Sequence, residues 1–168
     1  KELFDVLEAR IADRPGLVID IGAAEGYYAV GMSRRLPASR IVAFEIDPRS
    51  RALCRRNASL NEVGNLLVRG RATPPVLQRL LRDVRDGLVI CDCEGYEMTI
   101  IDPTPVPALR WCSLVVELHE FAVPGVTAAV TGRFRATHDV ELIDALPRIP
   151  VAHPQLAHLC EDEIRRAI

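Results

Sequence analysis

Val18-Ile19-Asp20-Ile21-Gly22-Ala23-Ala24-Glu25-Gly26-Tyr27-Tyr28 decides the fold. An apolar run ends at an acidic residue, passes through a turn of small residues and enters a segment with helical period. The order is strand, tight turn and helix N-terminus, an arrangement in which backbone N–H groups approach a nucleotide-like ligand closely. Glycine at 22 and 26 permits positive φ and lacks the Cβ that would hold such a ligand away. A plain βα turn that uses glycine only for geometry is the competing reading. The expectation is an adenosine-containing cofactor lying across the end of a parallel sheet.

Spacing selects among such cofactors. The dinucleotide fingerprint G-x-G-x-x-G would fall on Gly22, Ala24 and Tyr27, and a tyrosine at the third position blocks close helix packing. In the frame D/E-x-G-x-G-x-G, the segment resembles motif I of the class I S-adenosylmethionine-dependent methyltransferases, as Asp20, Gly22, Ala24 and Gly26. Ala24 departs from the pattern, where that family usually has glycine. The resemblance implies S-adenosylmethionine as the cofactor, with Asp20 receiving its methionine amino group directly or through water. It also implies that the backbone from Gly22 through Ala24 to Gly26 packs against the methionine and ribose. A sulfonium and an ammonium make that end of the cofactor cationic, which suits an acidic strand end.

A second strand, Arg40-Ile41-Val42-Ala43-Phe44-Glu45, also finishes on a carboxylate. Glu45 follows the glycine turn by roughly 20 residues, the offset at which a carboxylate meets ribose hydroxyls, and is the expected ribose ligand. Asp47-Pro48 then opens a helix, with Asp47 as N-cap and Pro48 at the first helical position.

The 168 residues are read as a single domain, 1–168, long enough to bury about 70% of the unfolded surface without disulfides or metals. A net charge of −2 leaves no electrostatic footprint for nucleic acid. No apolar stretch approaches the ~20 residues that a membrane span requires, and no secretory signal pattern opens the chain. Because it starts on Lys1, residues upstream are expected to be missing or removed. Five cysteines, an odd number beside a sufficient core, point to reduced thiols and a cytoplasmic setting. Cys91 and Cys93 lack a zinc spacing and read as buried small hydrophobes.

Helical and apolar segments alternate along the chain. Helices are expected over Leu3–Ala12, Tyr27–Leu36, Arg49–Leu60, Val76–Val84 and Val126–Arg135. Strands are expected over Leu17–Ile21, Ile41–Ile46, Leu66–Arg69, Leu88–Cys93, Leu114–Leu118 and Val140–Ile143. Repeated βαβ units mean a Rossmann-like, doubly wound, mostly parallel sheet with helices on both faces. The ligand crevice lies at the C-terminal strand ends, where the winding direction reverses. The class I methyltransferase fold normally has seven strands, so the seventh is expected beyond residue 168, with Arg148–Val151 as a substitute and Pro154–Ile168 as a terminal helix.

Charged residues break out of two apolar runs at that same edge, a costly placement without a purpose. The fourth strand ends Asp92-Cys93-Glu94-Gly95-Tyr96-Glu97, and pleat alternation puts Asp92 and Glu94 on one face and the cysteines on the other. The fifth ends Glu117-Leu118-His119-Glu120, with Glu117 and His119 together. Asp92 therefore borders both the cofactor and the acceptor. The segment Asp92, Glu94, Gly95, Glu97 with Glu117-Leu118-His119 resembles the FkbM-type branch of the methyltransferases, and the resemblance covers Gly16 to about His119. It implies O-methylation of a hydroxyl on a small molecule or sugar.

Methyl transfer requires in-line positioning and, for a hydroxyl, removal of a proton. His119 is the natural general base, because its ordinary pKa lies near neutrality, with Asp92 or Glu94 orienting the acceptor or taking the proton. Carboxylates and an imidazole could also bind a divalent cation that lowers a hydroxyl pKa, as in catechol-type relatives, but no metal is expected, since no third strand offers an obvious further ligand. The structural alternatives are Glu94 as a helix N-cap and His119 as a histidine paired with Glu117 or Glu120. Tyr27 and Tyr28 are read as packing against the sheet, Trp111 as core, and the arginines at 49, 51, 55, 56, 79, 82 and 85 as solvated helix faces. Arg69, Arg71 and Ala72 follow the third strand, where this fold contacts adenine. Two further classes stand beside the small-molecule enzyme: a cofactor-sensing domain without catalysis, and an RNA or protein methyltransferase. The Asn/Asp-Pro-Pro-aromatic motif of N-methylating relatives is absent at Asp92-Cys93-Glu94-Gly95, which counts against base or amide N-methylation.

Overall fold

Five short apolar runs pair in parallel: Leu17–Ile21 (β1), Arg40–Phe44 (β2), Leu66–Arg69 (β3), Leu88–Cys91 (β4) and Ser113–Val116 (β5). The spatial order is β3-β2-β1-β4-β5, in a computed structural model that describes residues 3–144. The chain winds outward from β1 through β2 to β3, then returns across β1 to β4. The winding therefore reverses between β1 and β4, and the crevice at their C-terminal ends is where ligands bind in open α/β sheets. Ile19 sits in register with Val42 on one side and Val89 on the other, and all three are fully buried. Such unbroken apolar strands are what a sheet covered on both faces demands.

The helices are Phe4–Ala12 (α1), Tyr27–Arg35 (α2), Pro48–Leu60 (α3), Pro74–Leu81 (α4), the single turn Glu97–Ile100 (α5) and Val126–Phe134 (α6), with a 3-10 turn at Pro107–Trp111. Asp47 caps α3 by accepting the Ser50 N–H at 2.7 Å, with Pro48 following it, as the sequence predicts. Pro74 and Pro75 likewise open α4, two residues earlier than expected. Leu77 and Leu81, one turn apart on α4, are wholly buried in the core with Ile100, Ile101, Leu109 and Phe134. Burial of each such leucine stabilises the fold by about 2 kcal/mol. These elements form one compact unit, Phe4–Glu141.

Several expectations need correction. Val140–Ile143 is not a strand. The chain leaves α6 through a turn in which Thr137 and His138 both donate to the Phe134 carbonyl, and His138 Nε2 lies 2.9 Å from the Cys112 carbonyl oxygen beside β5. Among the described residues Val140–Ile143 pairs with no strand, and three apolar residues alone are too weak a signal. Arg148–Val151 and Pro154–Ile168 lie outside the described residues. β2 stops at Phe44 rather than Ile46, which is 66% exposed. β4 and β5 each stop two residues early, at Cys91 and Val116, so the pleat does not run through Asp92 or His119. Trp111 is 59% exposed, its ring lying 5.6 Å from the Arg85 guanidinium. Tyr27 is also exposed, whereas Tyr28 is half-buried. Of the arginines, Arg51 donates to the Glu45 and Ile46 carbonyls and Arg55 to Val68, so they clamp strand ends instead of serving only as a solvated face. Cys91 is buried and Cys93 half-buried, with their sulfurs 3.4 Å apart.

Candidate functional site

The turn after β1 is held by backbone contacts from both neighbouring strands. Gly22 and Ala23 donate their N–H groups to the Phe44 carbonyl at the end of β2, at 2.9 and 3.0 Å. Gly22 has φ +86°, and a Cβ there would lie 1.6 Å from the Asp92 carbonyl oxygen. Gly26 has φ +94°, and its Cβ would lie 2.7 Å from Cys54 Sγ on α3. The absent side chains thus make room for β4's loop and for α3, not only for a ligand. Ala24 takes φ +45°, a left-handed conformation that costs a non-glycine residue about 1 kcal/mol. This is the position at which the sequence departs from the motif.

Glu45 closes the other side of the turn. Its Oε2 accepts the Ala24 N–H at 2.9 Å and its Oε1 accepts the Asp47 N–H at 2.7 Å, so Glu45 ties the small-residue turn to the start of α3. Asp20 lies beneath the turn, 2% exposed, with Oδ2 buried and without a partner among the described residues. Burial raises the Asp20 pKa to about 7, against the opposing Ala29 N–H, and the charges of Asp92 and Glu45 push it up further. A buried carboxylate oxygen lacking a donor fits a cationic group such as an ammonium. Tyr28 adjoins the same carboxylates: burial, then Glu117 and more weakly Asp92 and Asp20, raise its pKa. Ala72 is buried, and Arg71 reaches over the Tyr96 ring at 5.8 Å.

Across the Gly22–Asp92 contact lies a second cluster. Asp92 N donates to the Ile21 carbonyl and Glu117 N to the Cys91 carbonyl, both at 2.9 Å, which docks the loop after β4 between β1 and β5. Glu94, at φ +54°, and Gly95, at φ +108°, then turn the chain sharply into α5. Turn geometry, not the pleat, brings Asp92 and Glu94 together. His119, 5% exposed, stands 3.6 Å from Asp92 Oδ1 and 3.5 Å from Glu94 Oε2 through Nε2. Its Nδ1 lies 2.8 Å from Glu97 Oε1.

Glu97 is therefore the partner of His119, in place of the expected Glu117 or Glu120. Glu117 is exposed, and Glu120 instead accepts the Gly125 and Thr127 N–H groups at the start of α6. Glu94 does not cap α5, whose cap position is Tyr96. Glu97 is fully buried and also accepts the Cys93 N–H at 3.2 Å. Burial pulls its pKa up, yet backbone N–H groups and His119 outweigh this and hold it below the ordinary value. Burial pulls His119 down, and Glu97, Glu94 and Asp92 outweigh it, so the imidazole holds its proton more tightly than usual. Asp92 is raised to about 6 by burial and then by Glu117, against the favourable charge of His119. One ligand atom each from Asp92, Glu94 and His119 lie within 4.8 Å of one another, so two loops supply a donor set without a third strand.

Two residues here had no role assigned from the sequence. Glu97 entered only as the last acidic position of Asp92, Glu94, Gly95, Glu97, with nothing to mark it as the partner of His119. Phe121, 83% exposed, sets its ring edge-to-face against His119 at 5.6 Å and bounds the outer side of the cluster.

No family model matches this sequence, and no curated protein does. Solved structures do resemble it. One is a precorrin-6y C5,15-methyltransferase from Geobacter metallireducens GS-15, at 20% identity and TM-score 0.54, over 76% of this chain and 67% of that one. Another is an O-methyltransferase from Bacillus cereus in complex with SAH, at 16% identity and TM-score 0.52, over 80% of this chain and 67% of that one. This chain spans about two thirds of the length of each. With its strand order, parallel register and flanking helices, the chain has the Rossmann-like fold of the class I methyltransferases.

Proposed function

We propose that this chain is an S-adenosylmethionine-dependent methyltransferase acting on a hydroxyl of a small molecule. The observation that carries the reading is the buried Asp20 carboxylate, whose Oδ2 has no partner among the described residues and which feels the charges of both Glu45 and Asp92. Asp20 would hold the cationic methionine end. Glu45, whose two carboxylate oxygens each keep a lone pair after binding a backbone N–H, would receive the ribose hydroxyls. Gly22, Ala24 and Gly26 shape the wall between them, and Asp92 borders the methionine end through its contact with Gly22. When bound, S-adenosylmethionine supplies a methyl group already activated by its sulfonium.

What remains for the protein is orientation and proton removal. Asp92, Glu94 and His119 face the acceptor side, and the acceptor's proton is lost at this cluster. Glu97 fixes the imidazole ring through Nδ1 and stabilises it when positively charged. Phe121 offers the acceptor an apolar edge.

Calorimetry with S-adenosylhomocysteine tests the cofactor half. Asp20→Ala and Glu45→Ala each remove a charge-assisted contact worth about 1.5–3 kcal/mol, so affinity falls roughly 10- to 150-fold. Unchanged affinity in both variants overturns the assignment. His119→Ala keeps S-adenosylhomocysteine affinity and slows methylation of a hydroxylated acceptor by about 10²–10⁴-fold, the span of general acid–base effects. Cofactor binding with no turnover on any hydroxylated compound would favour a sensing domain.

A further inference from the structure

We propose that Cys91 and Cys93 are an oxidation site, a dithiol that a low-molecular-weight disulfide closes across Asp92, and that closure loosens Glu97 from His119. The sulfurs stand 3.4 Å apart, within the roughly 3–3.5 Å at which reacting atoms are poised to bond. A disulfide spans about 2.05 Å, so roughly 1.3 Å of approach completes it. Among the described residues no other thiols meet in this way: Cys54 and Cys112 are buried, and Cys112 Sγ donates to the Ala108 carbonyl instead. The two thiols of the pair are unequal. Cys91 is 1% exposed, and its contact with Cys93, then burial, push its pKa well above the ordinary value, whereas Cys93 is half-buried and within reach of a small reagent. That division suits an attacking thiol backed by a resolving one. Cys93, as the thiolate, attacks one sulfur of the oxidant and expels the first small thiolate. Cys91 then gives up its proton and attacks Cys93 Sγ, the mixed disulfide breaks, and the second small thiolate leaves. Two electrons pass from the cysteines to the oxidant, and the protons of the two cysteine thiols go to the two departing thiolates.

The backbone decides which side gives way. Cys91 is locked in β4, in register with Ile21 and Val116, and its carbonyl accepts the Glu117 N–H at 2.9 Å. Cys93 lies past the strand end, in a loop that carries Glu94 at φ +54° and Gly95 at φ +108°, so the loop yields. That loop holds the His119 pair: Cys93 N donates to Glu97 Oε1 at 3.2 Å, and the same oxygen lies 2.8 Å from His119 Nδ1. Drawing Cys93 toward Cys91 therefore pulls on the carboxylate that fixes the imidazole ring. Glu97 Oε2 is buried without a hydrogen-bond partner among the described residues, so no second bond anchors that carboxylate. Asp92, between the two cysteines, stands 3.6 Å from His119 Nε2 through Oδ1 and shifts with them. Closure thus acts on the acceptor side first, with Asp20 and Glu45 across the Gly22–Asp92 contact. Its meaning for turnover rests on the proposed methyl transfer, whereas the oxidation site itself rests on the sulfur geometry.

The test exposes the reduced full chain to excess oxidised glutathione at about pH 8, then quenches it with acid for alkylation and peptide mapping. Parallel samples go to nuclear magnetic resonance of the His119 ring, assigned by its absence in His119→Gln, and to S-adenosylhomocysteine calorimetry. Cys91 and Cys93 should lose their reactivity to alkylation together, with a mass loss of about 2 Da in their peptide. The His119 ring signals should shift, and dithiothreitol should reverse every change. Cys91→Ser should trap a glutathione adduct on Cys93, and Cys93→Ser should leave Cys91 alkylatable. A chain with native circular dichroism that keeps both thiols alkylatable, or that carries glutathione on Cys93 without closing, overturns the site. Should Cys91→Ser fail to fold, the half-buried Cys93→Ser decides, since loss of Cys91 alkylation persisting there overturns the pairing. Closure with unchanged His119 signals overturns the link to Glu97. S-adenosylhomocysteine binding by a chain whose pair does not close removes the oxidation site alone. Closure in a chain that binds no S-adenosylhomocysteine removes the methyltransferase reading and leaves the site standing.

Discussion

Asp20 carries a conflict between folding and binding that pH exposes. Its folded pKa, about 7, exceeds the ordinary carboxylate value, so between those two values the folded state keeps a proton that the unfolded state has released. Stability therefore falls as pH rises through that window, and above about 7 the full cost is present. Asp20→Asn removes the cost. Its urea midpoint should exceed that of the parent by more at about pH 8 than at about pH 5, while its cofactor affinity drops at both. The neighbouring carboxylates Asp92 and Glu45 add to the effect, since their charges face Asp20. Ala24→Gly should act in the opposite sense to most glycine substitutions. Relief of φ +45° should raise stability by about 1 kcal/mol, read as a higher midpoint at unchanged slope. At this scale the sequence was readable wherever a residue's role is local: Asp47 caps its own helix, and Asp20, Gly22 and Gly26 share one turn. Glu97 was not, because its partner His119 lies 22 residues away and nothing in either segment announces the pairing.

Elements meet at Gly26, where α2 and α3 are held so close that a methyl group would fall 2.7 Å from Cys54 Sγ. Gly26→Ala should destabilise the chain by about 2 kcal/mol or more, combining overpacking with a strained positive φ. Cys54→Ala should recover the steric part and leave the conformational part, so a double-mutant cycle gives coupling of about 0.5–3 kcal/mol. Element type was legible from apolar runs and from Pro and Asp signals. Element ends were less so. β4 and β5 stop at Cys91 and Val116, where the Asp92 and Glu117 N–H groups make the last ladder bonds to Ile21 and Cys91, and the reach of a neighbouring strand leaves no local mark in the sequence. The cluster of Asp92, Glu94 and His119 was foreseen, but for the wrong reason: a left-handed Glu94 and Gly95 make it, not strand alternation.

Over the whole described molecule, protection should grade across the sheet. Every residue of β1 and β4 is buried, whereas β3 alternates between half-buried and exposed positions. Amide hydrogen exchange should be slowest in β1 and β4 and faster in β3, with opening free energies rising toward the centre. Uniform protection across the five strands would contradict that gradient. The parallel α/β plan was legible in the alternation of segments, and the strand missing at Val140–Ile143 shows the limit of that reading. A few apolar residues propose a strand, but ladder pairing decides it, and these make none among the described residues.

The Gly22 backbone and the Asp92 carbonyl meet in a seam that leaves no room for a side chain. For a reaction that passes a carbon from one side of it to the other, the gap to be crossed is dictated by peptide planes, which side-chain exchange barely alters. Acceptor preference can then drift through Glu94, Glu117 or Phe121 while the transfer distance stays constant, and a swap at Gly22 would misalign donor and recipient in a single stroke.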